Sequence, residues 1–257
     1  MTTSQTVTIG VLALQGAFRE HIAYFNELLK ENSQEYSEYE FKIIEVKTKE
    51  DLQTCDSLVI PGGESTSISY IAERTNLLPY LYEFISDETK SIWGTCAGMI
   101  FLSRQLINGK LNQKILGGLN VEVSRNAFGR QLNSFEQPLD FSGFMPGVEK
   151  FPTVFIRAPV VTRILSPTQI EQEEEHEILH HLHAEEGIIR SENRYINHAP
   201  IEVLYSLKNF DNHDHELIVA VKQGHILGIS FHPELAGDYR FHKWFIDEFV
   251  LKRLGCK

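Results

Sequence analysis

Ser91-Ile92-Trp93-Gly94-Thr95-Cys96-Ala97-Gly98 is a short apolar run that ends on a cysteine set between pairs of small residues. Ser91–Thr95 has the composition of a buried strand and Ala97–Leu106 that of a helix leaving it, so Cys96 falls on a sharp turn between the two. Glycines on both sides let such a turn tighten and let neighbouring backbone approach. The turn lifts its side chain off the end of a sheet. It also leaves backbone N–H groups at a helix mouth, where they receive developing negative charge and favour a thiolate.

Upstream, the same alternation repeats. Thr6–Leu14 is rich in β-branched and apolar residues, as a central parallel strand is, and Gln15-Gly16 ends it. A helical stripe of Phe18, Ile22, Phe25, Leu28 and Leu29 follows within Ala17–Lys30. After a polar loop at Glu31–Glu40 come strands at Phe41–Val46 and Ser57–Ile60, the second stopped by Pro61-Gly62-Gly63. Glu64-Ser65-Thr66 can cap a helix at Ser67–Thr75, and a further helix is predicted at Pro79–Ser86. This alternation predicts an α/β fold, a three-layer sandwich with a mostly parallel central sheet flanked by helices. Ligands of such sheets gather at the carboxyl ends of the strands, so Gln15, Gly62-Gly63-Glu64 and Cys96 are expected at one rim.

Downstream, shorter connections join strands at Leu116–Arg125, Thr153–Ile156, Val203–Leu207, Leu217–Lys222 and Ile226–Phe231. Glu216–Phe231 reads as a hairpin around Gln223-Gly224, and an amphipathic helix covers Tyr239–Leu254. The chain is expected to be one domain, residues 1–257, with no internal repeat. Glu171–Glu186 is dense in glutamate and histidine and lies between Pro167 and Pro200, which marks an insertion at about 166–200 that leaves the core. His176, His180 and His183 share a helical face there, but the spacing is not His-Glu-x-x-His and no cysteine lies near; a solvated excursion is expected, not a metal site.

The chain has 257 residues and a formal net charge of −11, which argues against a nucleic-acid or anionic-membrane partner, since both need a basic face. Cys55, Cys96 and Cys256 make no disulfide framework and fit a reducing compartment. The apolar stretch near the N-terminus is short and lacks a basic flank, and no segment is long and apolar enough to span a bilayer. A cytoplasmic protein is expected.

His232-Pro233-Glu234 follows the last apolar strand, so His232 also emerges at a sheet end. Proline holds the next residue extended or turned, letting Glu234 reach the same imidazole. With Cys96 this composes a Cys-His-Glu site for hydrolysis or acyl transfer. The N–H groups of the Gly62-Gly63 turn and of Ala97 are candidate oxyanion donors, and the glycine pair permits a peptide flip that would leave the hole incomplete until something orders it. Arg125 and Arg157 follow predicted strands and have the fork geometry that holds a substrate carboxylate.

Six stretches, in order, carry a resemblance over nearly the whole chain. They are Gly10-Val11-Leu12-Ala13-Leu14-Gln15-Gly16-Ala17-Phe18-Arg19-Glu20-His21, Pro61-Gly62-Gly63-Glu64-Ser65-Thr66, Gly94-Thr95-Cys96-Ala97-Gly98-Met99, Arg125-Asn126-Ala127-Phe128-Gly129-Arg130-Gln131, Phe155-Ile156-Arg157-Ala158-Pro159 and Phe231-His232-Pro233-Glu234-Leu235. The chain resembles the class I glutamine amidotransferases and, more closely, the glutaminase-subunit family of pyridoxal 5′-phosphate synthases. The resemblance implies Cys96 as nucleophile, His232 and Glu234 completing a triad, and Gly63 and Ala97 as the oxyanion hole. It implies glutamine binding by Gly62, Gly63, Glu64, Arg125, Ile156 and Arg157. No cofactor or metal is implied. A synthase subunit is implied as partner and receives the ammonia. Gln15 belongs either to the active site or to the partner interface. The longer Glu31–Glu40 loop and the Ser166–Pro200 addition depart from the compact members. A glutaminase of another synthase and a catalytically silent subunit stand as the alternatives.

Overall fold

The computed structural model describes residues 4–125, 134–180, 187–208 and 216–255. The first half alternates as β1 (Gln5–Leu12), α1 (Phe18–Glu31), β2 (Tyr39–Val46), α2 (Lys49–Gln53), β3 (Ser57–Ile60), α3 (Ser65–Arg74), α4 (Leu78–Ser86), β4 (Ser91–Thr95) and α5 (Ala97–Leu102). Then follow β5 (Ser103–Ile107), β6 (Leu119–Ser124), β7 (Ser134–Leu139), β8 (Phe151–Ile156), β9 (Val160–Ile164), α6 (Pro167–His180) and β10 (Ile188–Arg190). The chain closes with β11 (Ile201–Leu207), β12 (Leu217–Gln223), β13 (Ile226–Ile229), a 3-10 turn at Pro233–Leu235 and α7 (Arg240–Phe245), which runs on as a π-helical stretch, Ile246–Leu251.

Among the described residues, eleven strands form one sheet in the order β10-β5-β6-β9-β12-β13-β4-β3-β1-β2, with β11 also on β12; β7 and β8 pair separately. Strands β2, β1, β3, β4 and β13 run parallel, and beyond β13 the sheet continues through antiparallel pairings, apart from the parallel pair β5 and β6. Strand alternation divides the core between the two faces. Val7, Ile9 and Val11 of β1, Val59 of β3 and Trp93 of β4 join Phe25, Phe241 and Phe245 on one side. Leu58, Ile60 and Ile92 join Ile68, Met99 and Phe101 on the other. The expected α/β sheet with helices on both faces is what the chain forms. No helix among the described residues is long and apolar enough to cross a membrane.

Three expectations need correction. The helix expected at Ala97–Leu106 stops at Leu102, because Ser103 turns extended (φ −65°, ψ 156°) and its hydroxyl donates to Ile100 O at 2.7 Å. Leu116 N–H takes the Phe101 carbonyl at 2.6 Å, and Ser103–Ile107 is a strand instead. The final helix, expected at Tyr239–Leu254, spans Arg240–Phe245 and a π-helical stretch at Ile246–Leu251, so it ends short of Leu254. The segment 166–200 does not leave the core throughout. Ile188–Arg190 pairs with β5, and buried Asn193 and Asn197 donate to the carbonyls of Leu116 and Gly118. His176 and His180 fall in α6, and His183 lies outside the described residues, as do Cys256 and the whole of Asn126–Gln131.

Candidate active site

Strands β1, β3, β4 and β13 lie side by side and parallel, with Ile60 opposite Gly94 and Thr95 opposite Ile229. The residues that follow each strand therefore meet at one rim: Gln15 after β1, Gly62-Gly63 after β3, Cys96 after β4 and His232 after β13. Cys96 has φ 49° and ψ −103°, a conformation that non-glycine residues avoid and that costs about 1–3 kcal/mol. Its N–H donates to Ile229 O at 2.7 Å, which ties the turn to β13. Gly98 permits the sharp exit of α5, since a Cβ there would lie 2.0 Å from Ile60 O. The Cys96 side chain is nearly buried, with Sγ 3.8 Å from Ile156 O.

His232 is fixed on two sides. Its N–H donates to Val154 O at 2.8 Å, and Nδ1 lies 2.7 Å from Glu234 Oε1. Gly62 packs directly on the ring, because a Cβ at that position would fall 2.3 Å from Cε1. Burial opposes charge on His232, but hydrogen bonds to Cys96 and Glu234, together with their negative charge, outweigh it and raise its pKa from 6.5 to about 10. Burial pushes Glu234 upward, yet the facing His21 and His232 keep its carboxyl below the usual range.

The Gly-Gly turn is held from β1. Gly62 O accepts from Ala17 N–H at 2.9 Å, and Gln15 Oε1 accepts from Glu64 N–H at 2.7 Å. Gln15 thus reaches into the pocket and braces the turn that carries Gly63. Glu64 caps α3, accepting from Thr66 N–H at 3.1 Å and Ser67 N–H at 2.7 Å. Partial burial works against the Glu64 carboxylate, but the Ser67 and Thr66 hydrogen bonds lower its pKa to about 2. Arg125 is not an isolated cation. Its Nη2 donates to Glu64 Oε1 at 3.2 Å and its Nη1 to Thr66 Oγ1 at 3.3 Å. Arg157 follows β8, with φ 43°, and is exposed.

A cavity of about 390 Å³ opens over this rim, lined by Gln15, Gly62, Gly63, Glu64, Cys96, Ala97, Arg125, Ile156, Arg157 and His232. That is the size of a small-molecule pocket. Glu234 stands behind His232 and does not line it. Another depression, about 580 Å³, follows the edge strand β11, but no cysteine or histidine is among the described residues that line it.

The SNO glutamine amidotransferase family matches residues 11–189 and 188–251. The chain belongs to this family. Pyridoxal 5′-phosphate synthase subunit SNO1 of Saccharomyces cerevisiae is 48% identical over 244 residues, covering 94% of this chain and 92% of that protein. Pyridoxal 5′-phosphate synthase subunit PdxT of Dehalococcoides mccartyi is 36% identical over 238 residues, covering 93% and 95%. A crystal structure of a glutamine amidotransferase is 35% identical with a TM-score of 0.65, covering 93% of this chain and 97% of that one.

In this glutamine amidotransferase, sequence reasoning left out Gly16, Ala17, Ser65, Ile100 and Leu235, which also line the cavity. Their neighbours in sequence were the available signal. It also left out the buried histidines His21 and His242, which lie behind Glu234. His21 falls between Phe18 and Phe25 on the apolar stripe of α1, and a polar residue on a buried stripe was the sign.

Proposed function

We propose that the chain is the glutaminase of a pyridoxal 5′-phosphate synthase, hydrolysing L-glutamine to L-glutamate and ammonia through Cys96, His232 and Glu234 and passing the ammonia to a synthase subunit. The observation that carries the reading is the strained Cys96 turn beside an imidazole clamped to Glu234 at 2.7 Å. Glutamine enters the cavity with its amide at Cys96. Arg125, Arg157, Glu64 and Ile156 offer the charges and carbonyls that suit its amino-acid end.

The Cys96 thiolate adds to the amide carbon, and the oxygen takes negative charge at the N–H groups of Gly63 and Ala97. A histidine with a pKa near 10 already holds its proton at neutral pH, so His232 is ready as the acid that protonates the leaving nitrogen. The C–N bond breaks, ammonia departs and a thioester remains. With the sulfur acylated, the hydrogen bond and charge of Cys96 no longer hold the proton on His232. The imidazole becomes a better base and takes a proton from the water that attacks the thioester. Glutamate leaves and the thiolate returns.

The names of the SNO1 and PdxT relatives support a synthase subunit as the receiver of ammonia. The test supplies amide-labelled glutamine to the chain in complex with a pyridoxal 5′-phosphate synthase subunit. The label is expected in pyridoxal 5′-phosphate, and its appearance only as free ammonia would contradict the partner assignment.

A further inference from the structure

Behind the triad lies a buried polar line that the reaction as written above does not use. Glu234 Oε1 serves His232, but its other oxygen, Oε2, is buried and has no hydrogen-bond partner at ordinary distance. The group it faces is His21 Nε2, at 3.5 Å. The same nitrogen lies 3.4 Å from Oγ1 of Thr95, the residue before the nucleophile. On the far side of the ring, His21 Nδ1 is 2.9 Å from His242 Nε2. Both histidines are fully buried. Trp93 stands edge-on to both rings at 5.2 and 5.0 Å, and Phe25 closes on His242 at 4.9 Å.

These contacts select one tautomer. Burial holds both histidines neutral, with pKa values lowered to about 3, so each ring carries one N–H. If His21 carried it on Nδ1, the lone pair of Nε2 would face the Glu234 carboxylate across 3.5 Å in a dry site, and His242 would hold a buried N–H with no acceptor, because its Nδ1 has no partner. If His21 carries it on Nε2, the N–H points between Glu234 Oε2 and Thr95 Oγ1. Its Nδ1 then accepts from His242 Nε2–H. Only the second arrangement places a donor against the carboxylate and leaves no donor stranded. His242 therefore fixes the tautomer of His21, and His21 the second oxygen of Glu234.

We infer that His21 is a positioning residue for the glutaminase reaction: its Nε2–H, set by His242 from behind, holds Glu234 and through it the ring of His232. The inference rests on the reading that Cys96, His232 and Glu234 act on glutamine. The assignment joins α1 and α7 to a site otherwise built at the sheet rim. The charged and titratable groups facing His21 are Glu234, His242 and His232, and those facing His232 are Glu234, Cys96 and His21.

Two substitutions separate positioning from packing. In His21→Gln the side-chain amide nitrogen takes the place of Nε2 and keeps the donor toward Glu234. In His21→Asn the shorter side chain puts its amide oxygen in the place of Nδ1, where it accepts from His242 Nε2–H, and leaves no donor toward Glu234. Glutamate release is measured in complex with a synthase subunit, with thermal midpoints alongside and Cys96→Ala as background. His21→Gln is expected to keep kcat within about threefold, whereas His21→Asn loses about 10- to 100-fold in kcat with KM little changed, the scale of a misplacement near 1 Å. Equal losses in the two variants, or a loss carried by KM, would overturn the assignment. A wild-type complex without Cys96-dependent release would instead overturn the glutaminase reading. The tautomer is tested apart from activity, by nitrogen NMR of the imidazoles in the free chain near neutral pH. A neutral His21 protonated on Nε2 is expected, and one protonated on Nδ1, or charged, would refute the inference by itself.

Discussion

Replacing Gly62 by alanine puts a methyl group where His232 already stands. A Cβ on Gly62 would lie 2.3 Å from Cε1 and 2.8 Å from Nδ1 of the imidazole, where ordinary contact begins at 3.4 Å. Relief requires the ring to retreat by about 1 Å, because close-packed interiors have no slack to absorb the overlap. The ring is poorly placed to do so, with its backbone N–H on Val154 O at 2.8 Å and Nδ1 on Glu234 at 2.7 Å. A misplacement of that size at reacting atoms costs about 100-fold in rate, or about 2.7 kcal/mol of barrier. Overpacking adds a stability loss of about 1–3 kcal/mol. The assay is glutamate release by the complex with a synthase subunit, with a thermal melt of each protein. Gly143→Ala is the control, since a Cβ there meets nothing within 4 Å. Gly62→Ala should lose most of its kcat while Gly143→Ala behaves as wild type. A Gly62→Ala enzyme with wild-type kcat would refute the claim that the Gly-Gly turn and the imidazole are packed to contact.

Cys96→Gly and Cys96→Ala should both abolish hydrolysis, but the glycine variant should melt at the higher temperature of the two, because both lack the buried sulfur and only glycine relieves the strain at φ 49°, worth about 1–3 kcal/mol, against an entropic cost of about 0.5–1 kcal/mol. A lower midpoint for the glycine variant would contradict the strain argument. Glu234→Gln should lose less kcat than His232→Asn, since the carboxylate orients the base without transferring the proton; equal losses would contradict that division of roles. Acid should destabilise the fold through His21 and His242, whose pKa values fall by burial from 6.5 to about 3. Below about pH 6.5 the unfolded chain binds protons that the native one excludes, so stability drops toward pH 3 by up to about 1.4 kcal/mol per unit for each ring. His232, raised to about 10, works the other way over this window and offsets about one of the two rings, so the thermal midpoint should still fall as pH is lowered from about 7.5 to about 5.5, and His242→Phe should flatten that dependence. A midpoint independent of pH would count against buried neutral histidines.

The parallel half of the sheet was legible because its strands are uniform apolar runs ended by glycine turns, as at Ser57–Ile60 before Pro61-Gly62-Gly63. Gln15, Gly62-Gly63-Glu64 and Cys96 are expected at one rim, and His232 at a sheet end, for the same reason: each follows an apolar strand. Strand β7 gave no such signal, since Ser134–Leu139 is mostly exposed and contains Pro138, and its register against β8 is set by a partner distant in sequence. The break after Leu102 was hidden because Met99, Ile100, Phe101 and Leu102 are all buried and carry no period; it is set by Leu116 and Ser103 taking the carbonyls of the last turn. Arg125 read as a candidate carboxylate clamp, and only the folded chain brings it onto Glu64. Of the line from Glu234 to His242 only His21, a polar residue on an apolar stripe, left a sign in the sequence; its partners lie on the 3-10 turn and α7 and meet it only when these elements pack.

The most direct test of the central claim is glutamate release from L-glutamine by this chain, with and without a pyridoxal 5′-phosphate synthase subunit, beside Cys96→Ala. Release that rises with the synthase subunit and vanishes in the Cys96→Ala protein is the predicted result. Release that persists in Cys96→Ala, or none from the wild-type complex, would contradict it.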